Sequence, residues 1–454
     1  MDKVVKDLAM KYAGLAVPRY TSYPTALHFN KDLDEKNYGG WLYSLDLTRP
    51  VSLYLHVPFC QELCWYCGCS TKVTKRQDLI SKYAQILKME IRKARSVIQG
   101  RPQVSHIHWG GGTPHLLSPK DFLEIMSLLK ESFDIRPDAE LAIELDPRAV
   151  TNETIDMLSE AGINRVSLGV QDFDAKVQEA IHRIQPYEMV KSVVDNLRDS
   201  GINKINFDLI YGLPYQNIKT LKETILLTKD LSPDRIALFG YAHVPWIRPH
   251  QKVMEEHGLP DAEERLELCS AAQMGLKEIG YEMIGIDHFA KPDDQLLKAY
   301  KERTLRRNFQ GYTTDIADSL ISFGASAIGS FSGGYVQNIS VIPDYERQVK
   351  EKGFAISRGV KVSREDLLRR KVIEELMCYF EVDLNKICKK FEVETSIFSK
   401  DFLSLSPYVD DGIVTLHNNY IKIKKGYEPL FVRLVSSCFD AYFNPIEGQH
   451  AKAI

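Results

Sequence analysis

The sequence predicts an α/β fold, a partial (open) parallel β/α barrel followed by a small, mostly helical domain. Between Val51 and Ile286, short apolar runs typical of strands alternate with longer amphipathic runs typical of helices. This order builds a parallel sheet covered by helices. Several of the strands carry polar residues on one face, whereas a closed barrel is normally filled with branched apolar side chains. Past residue 360 the pattern changes to helices and one hairpin.

An N-terminal arm is predicted over residues 1–48. One amphipathic stretch is followed by Pro18–Thr25, PRYTSYPT, whose two prolines favour an extended, ordered loop over a helix. The sequence favours a surface arm wrapped around the core. The alternative is a lid over a ligand, with Arg19 available for a carboxylate.

The barrel is expected to occupy residues 49–355. In its first strand, Ser52, Tyr54 and His56 share the face opposite to the apolar side chains. A parallel strand buried on both faces would be apolar on both, so the polar face predicts a cavity for a large polar ligand. A half-exposed antiparallel sheet is the alternative, which the intervening helices disfavour. Strands are predicted at 51–57, 104–109, 140–146, 165–171, 203–210 and 235–242, with a seventh at 281–286, and helices at 78–98, 119–132, 151–161, 186–200, 217–231 and 262–279.

Four of the eight cysteines lie within ten residues after the first strand, at Cys60, Cys64, Cys67 and Cys69. Thiolates packed this tightly suit zinc or an iron–sulfur cluster. No distant CxxC or HxxxH completes a zinc site, whereas three thiolates can hold a [4Fe–4S] cluster and leave its fourth iron open. Cys60, Cys64 and Cys67 are therefore the predicted ligands, with zinc as the alternative. Cys69 is poorly placed to share the same cluster, which leaves a role beside the substrate open.

The CxxxCxxC spacing, with Tyr66 before its last cysteine, resembles the radical S-adenosylmethionine (SAM) enzymes, in which SAM chelates the open iron. Polar residues end the third, fourth and fifth predicted strands, at Glu144, Gln171 and Asp208. Parallel α/β folds place their sites at this edge. Carboxylates and an amide there suit the ribose hydroxyls and amino group of SAM. The glycines of WGGGTP, 109–114, would let the backbone approach a ligand closely.

Seven motifs together resemble the oxygen-independent coproporphyrinogen III oxidases (dehydrogenases), and the likeness covers almost the whole chain. The sequence PRYTSYPT and the CGC ending of the cysteine motif are the most discriminating, because the related haem-chaperone branch generally lacks them. The motifs are PRYTSYPTA (18–26), CxxxCxYCGC (60–69), HWGGGTP (108–114), ELDPR (144–148), GVQDF (169–173), DLIYGLP (208–214) and NFQGYTT (308–314).

The resemblance implies that Cys60, Cys64 and Cys67 bind a [4Fe–4S] cluster and that one or two SAM molecules bind beside it. A reduced cluster would pass an electron to SAM and give methionine and a 5′-deoxyadenosyl radical. That radical would take a hydrogen from the β-carbon of a propionate. Loss of CO2 and an electron would leave a vinyl group, and a second round would yield protoporphyrinogen IX in haem biosynthesis. The implied SAM residues are Tyr54, Tyr66, Gly111, Gly112, Thr113, Glu144, Gln171, Arg183, Asp208, Ala242 and Ile328.

Propionates need cationic or hydrogen-bonding partners, and Arg19, Arg306 and Arg307 are the candidates. With Cys69 they form the predicted catalytic set. The implied partners are the substrate coproporphyrinogen III, a reducing donor such as flavodoxin or ferredoxin, and an electron acceptor that the sequence does not identify.

A C-terminal domain is predicted over residues 360–454, with helices and a hairpin that resemble a winged-helix module. Its lysines are too few to indicate nucleic-acid binding, and the net charge of −3 indicates no polyanion-binding surface. No apolar run approaches the roughly 18 residues that span a membrane. Asp2 and Asp7 interrupt the N-terminal stretch, so we expect no secretory leader, a cytoplasmic location and a monomer.

Two further alternatives remain open at this point. One is a haem-binding chaperone on the same scaffold, which would not need Cys69 or the 18–26 arm. The other is a radical SAM methyltransferase or ring-opening haem enzyme, which would leave both propionates intact.

Overall fold

The computed structural model describes residues 2–443, and one large mixed sheet organises most of them. Within those residues the strands are β1 (Val51–Val57), β2 (Phe59–Cys60), β3 (Lys72–Val73), β4 (Gln103–Gly111), β5 (Asp134–Leu145), β6 (Arg165–Gln171), β7 (Lys204–Tyr211), β8 (Arg235–Gly240), β9 (Glu282–Ile284), β10 (His288–Ala290), β11 (Arg306–Asn308), β12 (Gly311–Thr313), β13 (Ser319–Phe323), β14 (Ile328–Phe331), β15 (Gly334–Asn338), β16 (Ile356–Lys361), β17 (Glu381–Asp383), β18 (Val414–His417) and β19 (Tyr420–Ile423).

Helices cover the outer face of this sheet and build the C-terminal part of the chain. Ser118 caps one of them by accepting from the backbone N–H of Asp121, as the Ser-Pro start of that segment predicts. Over the same residues, the α-helices are α1 (Lys3–Tyr12), α2 (Glu35–Tyr43), α3 (Gln77–Val97), α4 (Pro119–Ser132), α5 (Asn152–Ala161), α6 (Ala175–Ala180), α7 (Tyr187–Asp199), α8 (Ile218–Leu231), α9 (Lys252–Glu256), α10 (Ala262–Glu278), α11 (Gln295–Lys301), α12 (Ile342–Lys352), α13 (Arg364–Tyr379), α14 (Leu384–Phe391), α15 (Ser399–Asp410) and α16 (Glu428–Ser437).

The main sheet has the strand order β16-β15-β14-β13-β1-β4-β5-β6-β7-β8-β10-β9. The run from β13 to β8 is parallel, and antiparallel strands extend it on both sides. The six predicted parallel strands and the six predicted helices are confirmed. Parallel strands connected through helices place all their carboxyl ends at one edge of the sheet.

One prediction for the ends of the sheet is corrected. The seventh strand forms at Glu282–Ile284, but it is antiparallel to β10, which is itself antiparallel to β8. Beyond the predicted strands, the chain also supplies β13, which pairs parallel with β1, and β14. The sheet continues to Lys361, at the end of β16.

The C-terminal part and the N-terminal arm share one apolar core. Tyr12, Val17, Tyr20 and Tyr23 of the arm pack with side chains of α13 and α16 in this core. The predicted hairpin forms between β18 and β19 around Asn418 and its neighbour, both with positive φ. Residues 444–454 of the predicted C-terminal domain lie outside the described residues. Among the helices of residues 2–443, none combines the length and apolarity needed to cross a membrane.

Candidate active site

The cysteine loop and the glycine-rich turn pack against each other at the carboxyl edge of β1 and β4. The backbone N–H of Gly112 donates to the carbonyl of Val57 at 2.9 Å, and that of Thr113 donates to the carbonyl of Phe59 at 2.7 Å. Oγ1 of Thr113 lies 3.7 Å from Sγ of Cys60. A Cβ on Gly112 would lie 2.4 Å from the Phe59 oxygen and 3.0 Å from the Cys60 sulfur. Only glycine therefore permits this approach.

Two arginines and a carboxylate flank Cys64. Nη1 of Arg183 and Nη2 of Arg148 each lie 3.4 Å from Sγ of Cys64. Both guanidinium groups pair with Asp146, at 2.7 Å from Arg148 and 3.2 Å from Arg183. A metal binds the thiolate form of cysteine, and these two guanidinium groups would lie beside its negative charge.

The remaining thiols differ in their environment. Hydrogen bonding from Cys69 lowers the pKa of Cys67 to about 6, and the backbone N–H of Cys69 donates to the Cys67 sulfur at 3.4 Å. Burial raises the pKa of Cys60 to about 11, but a coordinated metal removes a thiol proton outright.

The donor set fits an iron–sulfur cluster better than a single ion. Across residues 2–443, no three His, Cys, Asp or Glu side chains are grouped so that they could hold one metal ion. A [4Fe–4S] cluster takes its thiolates on separate irons, so its ligands need not meet at one point. The three spaced thiols of this loop, with the close approach of Gly112, fit such a cluster.

The inner face of the sheet carries a hydrogen-bonded polar group next to the cysteine loop. The Tyr54 hydroxyl lies 3.0 Å from Nδ1 of His56. Glu144 lies 3.1 Å from Nε2 of His108 and accepts from the backbone N–H of Gly111 at 3.1 Å. Burial opposes ionisation of Glu144, but these two partners hold its pKa below the usual value. Glu144 is thus an oriented carboxylate at neutral pH.

A second polar group lies at the ends of β6 and β7. Nη2 of Arg183 donates to the carbonyl of Gly169 at 2.8 Å. A Cβ on Gly169 would lie 2.7 Å from Nε2 of Gln171 and 3.0 Å from that Arg183 nitrogen, so these two side chains meet over a glycine. Burial, followed by the charge of Glu144, raises the pKa of Asp208 to about 7. Asp208 can therefore donate or accept a hydrogen bond near neutral pH.

Comparison with known proteins identifies the family. The radical SAM superfamily model matches residues 54–228, which contain the cysteine loop and the polar strand ends. A relative from Bradyrhizobium diazoefficiens, named oxygen-independent coproporphyrinogen III oxidase, is 45% identical over 448 residues, which cover 99% of each chain. This chain belongs to that family. A relative of the same name from Escherichia coli is 39% identical over 442 residues, covering 96% of this chain and 95% of its own.

A solved structure supports the same assignment over the whole fold. The coproporphyrinogen III oxidase of Escherichia coli, described as a radical SAM enzyme, superposes with a TM-score of 0.90 at 38% identity. The match covers 94% of this chain and 98% of that one. As a member of the coproporphyrinogen III oxidases, the chain is a radical SAM oxidoreductase whose cofactors are a [4Fe–4S] cluster and SAM. Membership decides against the zinc, haem-chaperone and methyltransferase alternatives.

Three residues that the oxidase family implies for SAM lie further apart in the fold. The backbone carbonyl of Tyr66 accepts from Nε2 of Gln251 at 2.9 Å. Ala242 follows the end of β8, and Ile328 begins β14, beyond β13. The structure thus gathers Tyr54, Gly111 and Glu144 around one polar group, whereas Ala242 and Ile328 belong to other parts of the sheet.

The predicted catalytic residues of this oxidase occupy different surroundings. Cys69 is exposed. Arg306 and Arg307 are neighbours in β11, so their side chains point to opposite faces. Nη1 of Arg306 lies 3.2 Å from Asp318, whereas the Arg307 side chain is buried, with 4% of it exposed. Arg19 reaches the carbonyl at the end of β8.

Sequence reasoning missed several residues of the site. Arg148 stands in the recognised ELDPR motif, but its contact with Cys64 depends on the folded chain. His108 precedes WGGG and holds Glu144. These residues stand within or beside the recognised motifs, but the sequence does not show which side chains they contact.

Proposed function

We propose that this chain converts two propionate side chains of coproporphyrinogen III into vinyl groups and so gives protoporphyrinogen IX. Each conversion removes one hydrogen from the β-carbon of the propionate, one CO2 and one electron. The cluster and SAM, when bound, supply the 5′-deoxyadenosyl radical that takes the hydrogen. The protein's own contribution is to position the reactants and to exclude water and oxygen from them.

Cys60, Cys64 and Cys67 are the proposed cluster ligands. Arg148 and Arg183 stand beside Cys64 and offset the negative charge that thiolates bring to the site. Each of these guanidinium groups is also paired with Asp146, which fixes its position. These positive charges would offset part of the negative charge of a thiolate-bound cluster.

The proposed SAM site lies on the inner face next to this loop. Glu144 would accept hydrogen bonds from the amino group of SAM, and Asp208 and Gln171 would bind its hydroxyl groups. Bare backbone N–H groups of the glycine-rich turn would face the ligand. The proposed set is that implied by the family, Tyr54, Tyr66, Gly111, Gly112, Thr113, Glu144, Gln171, Arg183, Asp208, Ala242 and Ile328, for one or two SAM molecules.

The proposed partners follow from the chemistry. The reaction needs an electron donor of low potential, for which flavodoxin or ferredoxin would serve, and an electron acceptor. Cys69, Arg19, Arg306 and Arg307 are the proposed groups on the substrate side. We propose a monomer in the cytoplasm, where thiolates stay reduced.

The observation that carries this proposal is the close packing of the glycine-rich turn on the cysteine loop, beside an oriented Glu144. This packing supports a cluster-binding loop and a neighbouring SAM site at one edge of the sheet. The test is anaerobic incubation of the reconstituted holoprotein with SAM, a reductant and coproporphyrinogen III, followed by mass spectrometry. We expect the loss of two CO2 and four hydrogens per porphyrinogen.

A Cys64→Ser variant provides the control, because it removes a cluster ligand from the loop. It should contain less iron and form no vinyl product. A holoprotein with a full cluster that cleaves SAM but releases no CO2 from coproporphyrinogen III would reject the proposed function.

A further inference from the structure

The short turn Pro147–Ala149 holds Arg148 in one orientation beside the cysteine loop. Asp146, which precedes this turn, accepts from the backbone N–H of Arg148 at 3.1 Å and from its side-chain Nε and Nη2 at 3.0 and 2.7 Å. Nη1 of Arg148 donates to the carboxylate of Glu62 at 3.3 Å. The side chain is 14% exposed. Two carboxylates therefore fix the plane of this guanidinium group.

Arg148 also donates to a sulfur of the cysteine loop. Its Nη2 carries two hydrogens, and besides its bond to Asp146 it donates to Sγ of Cys64 at 3.4 Å. Arg183 donates to the same sulfur through Nη1, also at 3.4 Å. Cys64 therefore receives hydrogen bonds from two guanidinium groups that belong to different loops.

The other two proposed ligands have neutral hydrogen-bond donors. Sγ of Cys67 accepts from the backbone N–H of Cys69 at 3.4 Å, and Sγ of Cys60 lies 3.7 Å from the hydroxyl of Thr113. A hydrogen bond from an ionised donor is roughly twice as strong as one between neutral groups. The surroundings of Cys64 should therefore respond most strongly to charge that is added to a bound cluster.

The effect of Arg148 depends on where its N–H group points more than on net charge. Its positive charge is paired with Asp146 and Glu62, so the group adds little net charge to the site. Its N–H group, however, points at the sulfur, and a hydrogen bond strengthens as its acceptor becomes more negative. One-electron reduction of a cluster adds one negative charge, which the ligand sulfurs share. Such a donor therefore stabilises the reduced state more than the oxidised state.

We propose that Arg148 sets the reduction potential of the cluster through its hydrogen bond to Cys64. This inference rests on the proposed ligand role of Cys64 and deepens the proposed function. The electron comes from the donor of low potential that the proposed function requires, and no proton is transferred. Arg148 raises the potential and so keeps the cluster within reach of that donor. It acts through Cys64 and is a positioning residue.

The test is an anaerobic redox titration of the reconstituted holoprotein, without SAM or substrate, in which electron paramagnetic resonance measures the reduced cluster. Arg148→Met keeps a long side chain but has no donor. We expect about a tenfold loss in the equilibrium constant for one-electron reduction, which makes the potential about 59 mV more negative, and an unchanged iron content. Arg148→Lys, which keeps a donor but loses the fork, should have an intermediate potential. It serves if the methionine variant fails to hold a cluster.

Two controls separate the hydrogen bond from the charge. The double variant Arg148→Met, Glu62→Gln removes one charge of each sign, and its potential should stay as low as that of Arg148→Met. Arg136→Met removes an arginine that is likewise paired with an aspartate, Asp138, at 2.8 Å. Arg136 lies near the amino end of β5, whereas Arg148 follows the carboxyl end of that strand. The potential of Arg136→Met should therefore equal that of the unchanged protein.

The outcomes separate this role from the proposed function. An unchanged potential in Arg148→Met, or a return to the original potential in the double variant, would reject the role of the hydrogen bond and leave the proposed function standing. Loss of the cluster from both Arg148→Met and Arg148→Lys would also reject it, because Arg148 would then retain the cluster instead of setting its potential. The expected shift in a holoprotein that releases no CO2 from coproporphyrinogen III would reject the proposed function alone.

Discussion

Gly112 faces Phe59 so closely that a Cβ would lie 2.4 Å from the Phe59 carbonyl oxygen. The same Cβ would lie 3.0 Å from the sulfur of Cys60. Backbone atoms lie on both sides of this contact, so no flexible side chain can move to make room. The glycine-rich turn can therefore approach the cysteine loop this closely only because residue 112 has no Cβ atom.

Gly112→Ala should weaken cluster binding. The added methyl group must push the cysteine loop away from β4 and displace Cys60 relative to the other two thiols. We expect the iron content and the visible cluster absorbance after anaerobic reconstitution to fall by more than half. Gly68→Ala is the matched control, because a Cβ there meets nothing within 4 Å. Full iron content in Gly112→Ala would contradict the proposed ligand role of this loop.

Glu144→Gln should weaken SAM binding while the cluster remains. The carboxylate is oriented by His108 and Gly111, and its replacement removes one charge-assisted hydrogen bond to a cationic amino group. Such a bond contributes about 1.5–3 kcal/mol, so the dissociation constant for SAM should rise roughly tenfold to hundredfold. Equilibrium binding of SAM to the holoprotein measures this change. Glu160→Gln, on the exposed side of α5, should bind SAM normally.

The sequence pattern was sufficient to predict the position and direction of the central strands, but not those of the strands at the edges of the sheet. The strands β1 and β4 to β8 alternate with amphipathic helices, so their type and parallel direction follow from local periodicity. The pairing of Val51 with Ser319 joins β1 to β13 across more than half of the chain, and no local pattern reports such a contact. Positive φ at Gly285 accompanies the reversal between β9 and β10, which made the last predicted strand antiparallel.

In the site, too, the residues of the motifs could be predicted from the sequence, whereas their contacts could not. The motifs supplied Cys60, Glu144 and Asp208, because these residue types at strand ends have a direct chemical interpretation. The contact between Arg148 and Cys64 joins residues 84 positions apart, and it arises because β1 and β5 end at the same edge. Arg307 is buried where it contacts Arg19 of the arm and lies near Asp287. These contacts join distant parts of the chain, so the sequence alone could not distinguish Arg307 from Arg306.

Cys69→Ser should retain the cluster, in contrast to Cys67→Ser. The backbone N–H of Cys69, which serine keeps, donates to the sulfur of Cys67. We expect iron content within about a fifth of the unchanged value and continued formation of 5′-deoxyadenosine from SAM, with decarboxylation reduced if Cys69 acts on the substrate side. Iron analysis measures cluster content, and product chromatography measures the formation of 5′-deoxyadenosine and of the vinyl product. Loss of iron in Cys69→Ser equal to that in Cys67→Ser would instead make Cys69 a cluster ligand.

The stability of the protein should carry a pH dependence that originates at Glu90. This carboxylate, on α3, is buried and accepts from the backbone N–H of Gly324 at 2.8 Å and from the hydroxyl of Tyr345 at 2.6 Å. Burial raises its pKa from 4.5 to about 7. Between these values the folded state binds more protons than the unfolded state, so the free energy of unfolding falls as the pH rises. The interval corresponds to about 3 kcal/mol.

Glu90→Gln removes this titration and isolates it from the other groups that change charge in the same range. We expect the unchanged protein to lose about 3 kcal/mol of stability relative to the variant between pH 4.5 and pH 7, and the difference to stay constant above that. Thermal unfolding midpoints of the anaerobic holoprotein at half-unit intervals of pH measure the difference. Glu131→Gln, at an exposed position of α4, should follow the unchanged protein at every pH. Parallel pH profiles for Glu90→Gln and the unchanged protein would mean that Glu90 stays ionised in the fold. Its hydrogen bonds from Gly324, Tyr345 and Asn338 would then outweigh the cost of its burial.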